Sequence, residues 1–210
     1  MSDNDRNWKF ASDLVDETDV IARARAQALE LGVEPIAAAI GAQAAVIVAA
    51  TGARSILEIG TGVGVSGLWL LRGGTTAMLT SIDSELDHQQ HARAAFTEAG
   101  IPATRVRLIT GRAIDVLPRM NEDAYDIVLV DADPASVIEY VEHALRLVRP
   151  GGTVLVAHAL WKGRVADPAQ RDAITSGFRS LVTEIAASAA VVSALSPVGD
   201  GLLQLTKLGA

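Results

Sequence analysis

The chain has 210 residues, a net charge of −7 and no cysteine. The length suits one large domain with a substantial core. The missing thiols exclude disulfides, thiolate nucleophiles and thiolate zinc sites. The acidic balance, with only scattered arginines, argues against nucleic acid as a partner, because neutralising phosphates takes clustered cations. A small molecule is the expected ligand. Half the residues are hydrophobic but only 4% are aromatic, so the core must be Ala, Val, Ile and Leu. That composition suits helices packed on a parallel sheet buried on both faces.

In chain order, Met1 to Phe10 are polar and acidic, unlike a signal peptide, and a cytoplasmic location is expected. Val20, Ala24, Ala28 and Leu31 recur at helical spacing in a first helical stretch that Gly32 can cap. Pro35 then precedes an Ala-rich helix closed by Gly52. The apolar run Ile36–Ala50 carries Gln43 and is too short to cross a bilayer, so no membrane partner is expected. From Ser55 onward, strand-like runs (Ser55–Ile59, Ala77–Ile82, Val106–Thr110, Tyr125–Val130, Thr153–Ala157) alternate with helical ones (Val65–Arg72, Leu86–Ala99, Ala113–Met120, Ser136–Leu147). Such alternation is the mark of right-handed βαβ units and a doubly wound parallel sheet. After a helix around Ala169–Ala187, Val191–Leu195 and Leu202–Lys207 flank the turn-rich Ser196-Pro197-Val198-Gly199-Asp200-Gly201, which predicts an antiparallel hairpin. The expectation is an α/β fold with a mostly parallel seven-stranded sheet ending in that hairpin. No linker interrupts it, so 1–210 reads as one domain, with helices over 1–52 and the core over 53–210.

Glu58-Ile59-Gly60-Thr61-Gly62-Val63-Gly64-Val65-Ser66-Gly67 follows the first parallel strand and opens a helix. Glycines let backbone approach a ligand, and the helix start offers free N–H donors. Gly62-x-Gly64-x-x-Gly67 satisfies the weak dinucleotide pattern; Glu58-x-Gly60-x-Gly62 reads instead as a methyltransferase loop for a cationic sulfonium cofactor. Glu58 beside an anionic pyrophosphate would be unfavourable. Asp83, ending the second strand, suits ribose hydroxyls in either case, and a purely structural glycine turn is the third reading. Gly111-Arg112-Ala113 after the third strand could wall an adenine slot, and Asp131-Ala132-Asp133 ends the fourth strand over the crevice. No second domain remains for a dehydrogenase substrate, which favours the methyltransferase reading.

These motifs, with Arg149-Pro150-Gly151-Gly152 and Leu160-Trp161-Lys162-Gly163-Arg164-Val165-Ala166-Asp167-Pro168, resemble the cation-dependent O-methyltransferases, the family of catechol and caffeoyl-CoA O-methyltransferases. The resemblance runs from about Gly41 to the carboxyl terminus. It implies a Rossmann-like methyltransferase fold, S-adenosylmethionine as cofactor with S-adenosylhomocysteine as product, and a homodimer joined through the amino-terminal helices. It implies cofactor contacts from Glu58, Gly60, Thr61, Ser66, Asp83 and Ala113, with Ile36, Gly62, Ser84, Arg112 and Asp133 completing the set. Asp131 would lie between cofactor and a small hydroxylated acceptor, aromatic acceptors included.

The chain departs from the family where the family holds its metal. The Asp-Asn position reads Ala157-His158, and the lysine after Asp-Ala-Asp is Pro134. One carboxylate and one imidazole are a poor cage for Mg²⁺, so no tightly bound Mg²⁺ is expected. His158 becomes the candidate base, with Asp131 to orient it; a packed histidine bonded to backbone is the alternative. Asp133 suits a helix cap. His88 and His91 are expected on the solvated face of a peripheral helix, and His143 on the surface. Trp161 either stacks on an acceptor or anchors its loop. The activity expected is O-methyl transfer, against a cofactor-binding protein with little catalysis and, more remotely, an NAD-dependent oxidoreductase.

Overall fold

The computed structural model describes residues 3–209. Met1, Ser2 and Ala210, which the readings of the amino terminus and of the domain limits include, lie outside the described residues. Three helices come first: α1 (Asp3–Asp13), α2 (Asp19–Glu30) and α3 (Ala38–Thr51). The single helical stretch expected before Leu31 is therefore two helices. Thr18 is the reason: its side chain accepts the Ile21 amide at 3.4 Å and starts α2 afresh as an N-cap. Gly52, in the left-handed conformation at φ 61°, ends α3 as expected.

The core follows as β1 (Ser55–Ile59), α4 (Val65–Arg72), β2 (Met78–Asp83), α5 (Leu86–Glu98), β3 (Val106–Thr110), α6 (Ala113–Val116), β4 (Tyr125–Val130), α7 (Val137–Leu147), β5 (Val148–Val156), α8 (Ala173–Ala187), β6 (Val191–Ser196) and β7 (Leu202–Lys207). The strands lie in the order β3-β2-β1-β4-β5-β7-β6. The first five are parallel, and β7 pairs antiparallel with both β5 and β6. Strand order reverses between β1 and β4, where the carboxyl ends of an open α/β sheet leave a crevice.

Successive β1 residues serve opposite cores. Ile56 joins Ile40, Val48, Trp69 and Leu70 under α3 and α4, whereas Leu57 and Ile59 join Val141, Leu147 and Phe178 under α7 and α8. Both faces are covered, which is why these strands read as continuous apolar runs. Trp69 sits so close to α3 that a Cβ on Gly41 would lie 2.3 Å from its ring.

Three core elements depart from expectation by more than one residue at a boundary or in type. The Ala113–Met120 segment is one α turn followed by a 3₁₀ turn over Leu117–Arg119, since Pro118 has no amide to continue the ladder. Strand β5 starts at Val148 and shifts register against β4 between Tyr125 and Ile127, absorbing Pro150-Gly151-Gly152 as an irregularity. Helix α8 starts at Ala173 because Asp172 caps it, accepting the Thr175 amide at 3.0 Å. Among the described residues no helix is long and apolar enough to cross a membrane.

Candidate active site

A cavity of about 690 Å³ opens over the carboxyl ends of β1, β2 and β4. Its floor is the loop after β1. Gly60 takes φ 98° and passes so close to β4 that a Cβ would stand 1.8 Å from the Asp131 carbonyl oxygen; only glycine fits there. Gly62 (φ 47°) donates its amide to Asp83 Oδ2 at 2.8 Å, and Glu85 donates to Asp83 Oδ1 at 2.9 Å. The Asp83 carboxylate is thus fixed by two amides at the cavity wall. Gly64 and Gly67 do something else. Added Cβ atoms there would meet Ala92, Phe96 and Leu79, so this half of the dinucleotide-like pattern serves helix packing, not a ligand.

Beneath the loop runs a buried polar chain. Ser81 gives its hydroxyl proton to Glu58 Oε2, so Thr61, 2.6 Å from Ser81, must donate to it in turn. Gln89 donates to Thr61 Oγ1 at 3.3 Å and to the Ile109 carbonyl at 2.9 Å, and accepts from Thr110. Loop, β2, β3 and α5 are thereby locked together. Glu58 is fully buried and lies behind the cavity wall rather than on it. Burial pushes its carboxyl up to about 8, helped by the charges of Asp131 and Asp83 and opposed by the Ser66 and Ser81 hydroxyls. Its Oε1 has no hydrogen-bond partner among the described residues. An orphan buried carboxylate oxygen under a glycine loop fits a ligand bearing positive charge.

Of the other residues singled out in the sequence, Ile36, Thr61, Ser66, Ser84, Arg112, Ala113, Asp131 and Asp133 all line this cavity. Asp133 also caps the turn before α7, accepting from Ala135 and Ser136. Wall residues that were not singled out for it include Glu34, Tyr140 and His88. The expectation that the His88 helix turns only to solvent fails at that residue, whose Nδ1 lies 3.8 Å from Asp83 Oδ1. His143 is half-buried on α7.

His158 adjoins the cavity across Asp131, in a small hollow shared with Pro134, Tyr140, Trp161 and Phe178. It takes φ 55°, and its ring lies between two carboxylates. Nε2 is 3.5 Å from Asp131 Oδ1, and Nδ1 is 3.2 Å from Asp200 Oδ2. Burial pushes the Asp131 carboxyl up to about 6; the His158 charge opposes this and Glu34 adds to it. Asp131 and Asp200 meet opposite nitrogens of one ring, so the three groups do not converge on a point as an octahedral cation requires. These donors do not fit Mg²⁺. Trp161 stacks on Phe178, with centroids 5.5 Å apart and planes 18° apart, which anchors its loop. Lys162 pairs with the cavity-wall residue Glu34 at 2.7 Å.

A mixed seven-stranded sheet with β7 between β5 and β6, and a glycine-floored acidic cleft at the strand switch, is the architecture of the class I methyltransferases. The family model described as O-methyltransferase matches residues 15–208, and the chain belongs to that family. A provisionally named O-methyltransferase of Mycobacteroides abscessus is 42% identical over 198 residues, covering 94% of this chain and 92% of that protein. A crystal structure from Corynebacterium glutamicum superposes with a TM-score of 0.90 at 30% identity over 100% of this chain and 99% of that one. The O-methyltransferase TomG of Streptomyces achromogenes, involved in tomaymycin synthesis and crystallised with S-adenosylmethionine, gives 0.84 at 31% identity over the whole of both chains.

Proposed function

We propose that the chain transfers a methyl group from S-adenosylmethionine to a hydroxyl of a small acceptor, without Mg²⁺. The observation that carries this reading is the junction at Asp131, where the large acidic cavity meets the hollow holding His158. The complex of TomG with S-adenosylmethionine supports the choice of cofactor, which when bound supplies an electrophilic methyl on sulfur. Asp83, fixed by two amides, would accept ribose hydroxyls. Ile36, Ala113 and Arg112 would flank the base, and the Gly60–Ser66 loop over Glu58 would receive the charged amino-acid end. Thr61, Gly62, Ser84 and Asp133 complete the enclosure.

On the acceptor side, His158 Nε2 takes the hydroxyl proton as the oxygen attacks, an assistance worth ~10²–10⁴-fold. Asp131 holds the polar end of the acceptor beside it. Tyr140 and the Trp161–Phe178 pair border the hollow, which at about 30 Å³ admits a hydroxyl but not a ring, so an aromatic acceptor would present only its hydroxyl to it. The protein works in the cytosol as a homodimer; exposed Phe10, Leu29 and Val46 on the amino-terminal helices support that assembly, and sedimentation tests it.

Calorimetry with S-adenosylhomocysteine, followed by transfer of labelled methyl to catechols and phenols with and without EDTA, tests the function. Tight binding and chelator-insensitive transfer are expected. No binding overturns the reading, and activity that returns only on adding Mg²⁺ overturns its metal-free part. In His158→Gln, transfer should fall ~10²-fold or more with homocysteine-adduct binding intact; an unchanged rate removes the base.

A further inference from the structure

The turn between β6 and β7 has a task beyond joining strands. Gly199 and Gly201 take φ 58° and 87°, and a Cβ on Gly201 would stand 2.6 Å from the Leu160 amide. The turn therefore presses its backbone against the segment after β5. Leu160 donates to the Asp200 carbonyl at 2.9 Å, and Ala159 donates to the Gly201 carbonyl at 3.1 Å. That segment carries three non-glycine residues in the left-handed region, His158, Trp161 and Lys162, a conformation that persists only where surrounding contacts over-determine it. Between the glycines, the Asp200 side chain is held at both oxygens: Oδ1 accepts the Lys162 amide, and Oδ2 faces His158 Nδ1 at 3.2 Å.

We propose that Asp200 is the positioning residue of the reaction, fixing the His158 imidazole with its proton on Nδ1 and the Nε2 lone pair turned to Asp131 and the acceptor. This rests on the reading of His158 as base. A carboxylate can only accept, so the nitrogen beside Asp200 must be the donor. Asp131 offers a competing acceptor at Nε2, but it is farther away, at 3.5 Å against 3.2 Å for Asp200. Fixing the tautomer from the far nitrogen is how a buried carboxylate serves a histidine base. Nothing in the composition of the turn marked Asp200 out, since Gly-Asp-Gly is ordinary turn material.

The test is ring ¹⁵N NMR of the protein saturated with S-adenosylhomocysteine, above the pH at which the ring titrates. The chain has four histidines, and His158→Gln assigns the signal. The wild type should show the Nδ1–H tautomer, and Asp200→Glu should keep it. Asp200→Asn, whose amide nitrogen can donate to Nδ1, should move the proton to Nε2. With any acceptor that takes label, the Asn variant should lose ~10²–10⁴-fold in kcat while KM for S-adenosylmethionine stays within about twofold. Thermal melting and homocysteine-adduct binding check that both variants fold. An Nε2–H ring in the wild type, or a tautomer and kcat unmoved in Asp200→Asn, overturns the proposal. If no acceptor is methylated the functional reading fails, while the tautomer still decides this one.

Discussion

Glu58 is a carboxyl group in a place hostile to its charge: no exposure, one oxygen bonded and the other orphaned. Its pKa in the folded chain is raised, so the sign of its effect on stability is the reverse of a salt-bridged acid. The protonated form is stabilised by folding. That contribution is complete below the unfolded value near 4.5 and is lost as pH rises through about 8. Glu58→Gln should therefore melt higher than the wild type at pH 8.5, with the gap closing toward pH 5, and should bind S-adenosylmethionine more weakly. A gap independent of pH would mean that Glu58 is ionised in the free protein. Glu58, Gly60, Asp83 and Asp131 were legible in the sequence because each ends a strand or sits in the loop beside one. Asp200, Gln89 and His88 were not. Asp200 reaches the site across 42 residues. Gln89 and His88 lie on a helix whose polar residues look solvated until the loop folds over them.

Helix α2 holds the cavity wall at Ile36 from behind. Arg25 forks onto Glu17 with bonds of 2.9 and 2.6 Å and spends its remaining arm on the Ile36 carbonyl at 2.7 Å; Glu17 also receives the Trp69 indole at 3.3 Å. One guanidinium thus ties the α1–α2 linker, the 31–37 loop and α4 together. Such bidentate pairs are stronger than neutral bonds, and removing one partner strands the other. Arg25→Met should cost about 3 kcal/mol and weaken S-adenosylhomocysteine binding by loosening Ile36, read by urea titration and calorimetry. Full affinity in the variant would show that the wall is held without Arg25. The elements themselves were the most legible part of the sequence: β1, β3, β4, β7 and α4 fall where the apolar periods put them. Boundaries failed where a capping bond or a missing donor outvoted the period, at Thr18, Asp172 and Pro118.

Asp126 joins three strands into one sheet. Its Oδ2 accepts the Arg54 and Ser55 amides at 2.7 and 2.9 Å at the start of β1, and its Oδ1 meets Arg149 of β5 at 2.6 Å. Burial pushes its carboxyl up, but the Arg149 bond, the two amides and the Arg149 charge win and hold it below the ordinary value. Here the folded pKa is depressed, so the stabilisation is present above the unfolded value and is lost as pH falls through the folded one. Asp126→Ala should lose about 2 kcal/mol at pH 7, with the difference from wild type shrinking as pH falls below the unfolded value of 3.8, measured by urea midpoints. A constant difference would assign the loss to packing instead.

The position of β7 has a temporal consequence. It is the last of the seven strands in chain order, yet it fills an interior slot, with β5 on one side and β6 on the other. Until it arrives, the Thr153–Val156 edge of the nascent sheet stands open to any extended segment nearby. The imidazole at 158 waits for its second carboxylate over the same interval. The β6–β7 turn and β7 therefore close the sheet and bring Asp200 to His158 in one event, and a sheet lacking them keeps a pairing-prone edge at Thr153–Val156.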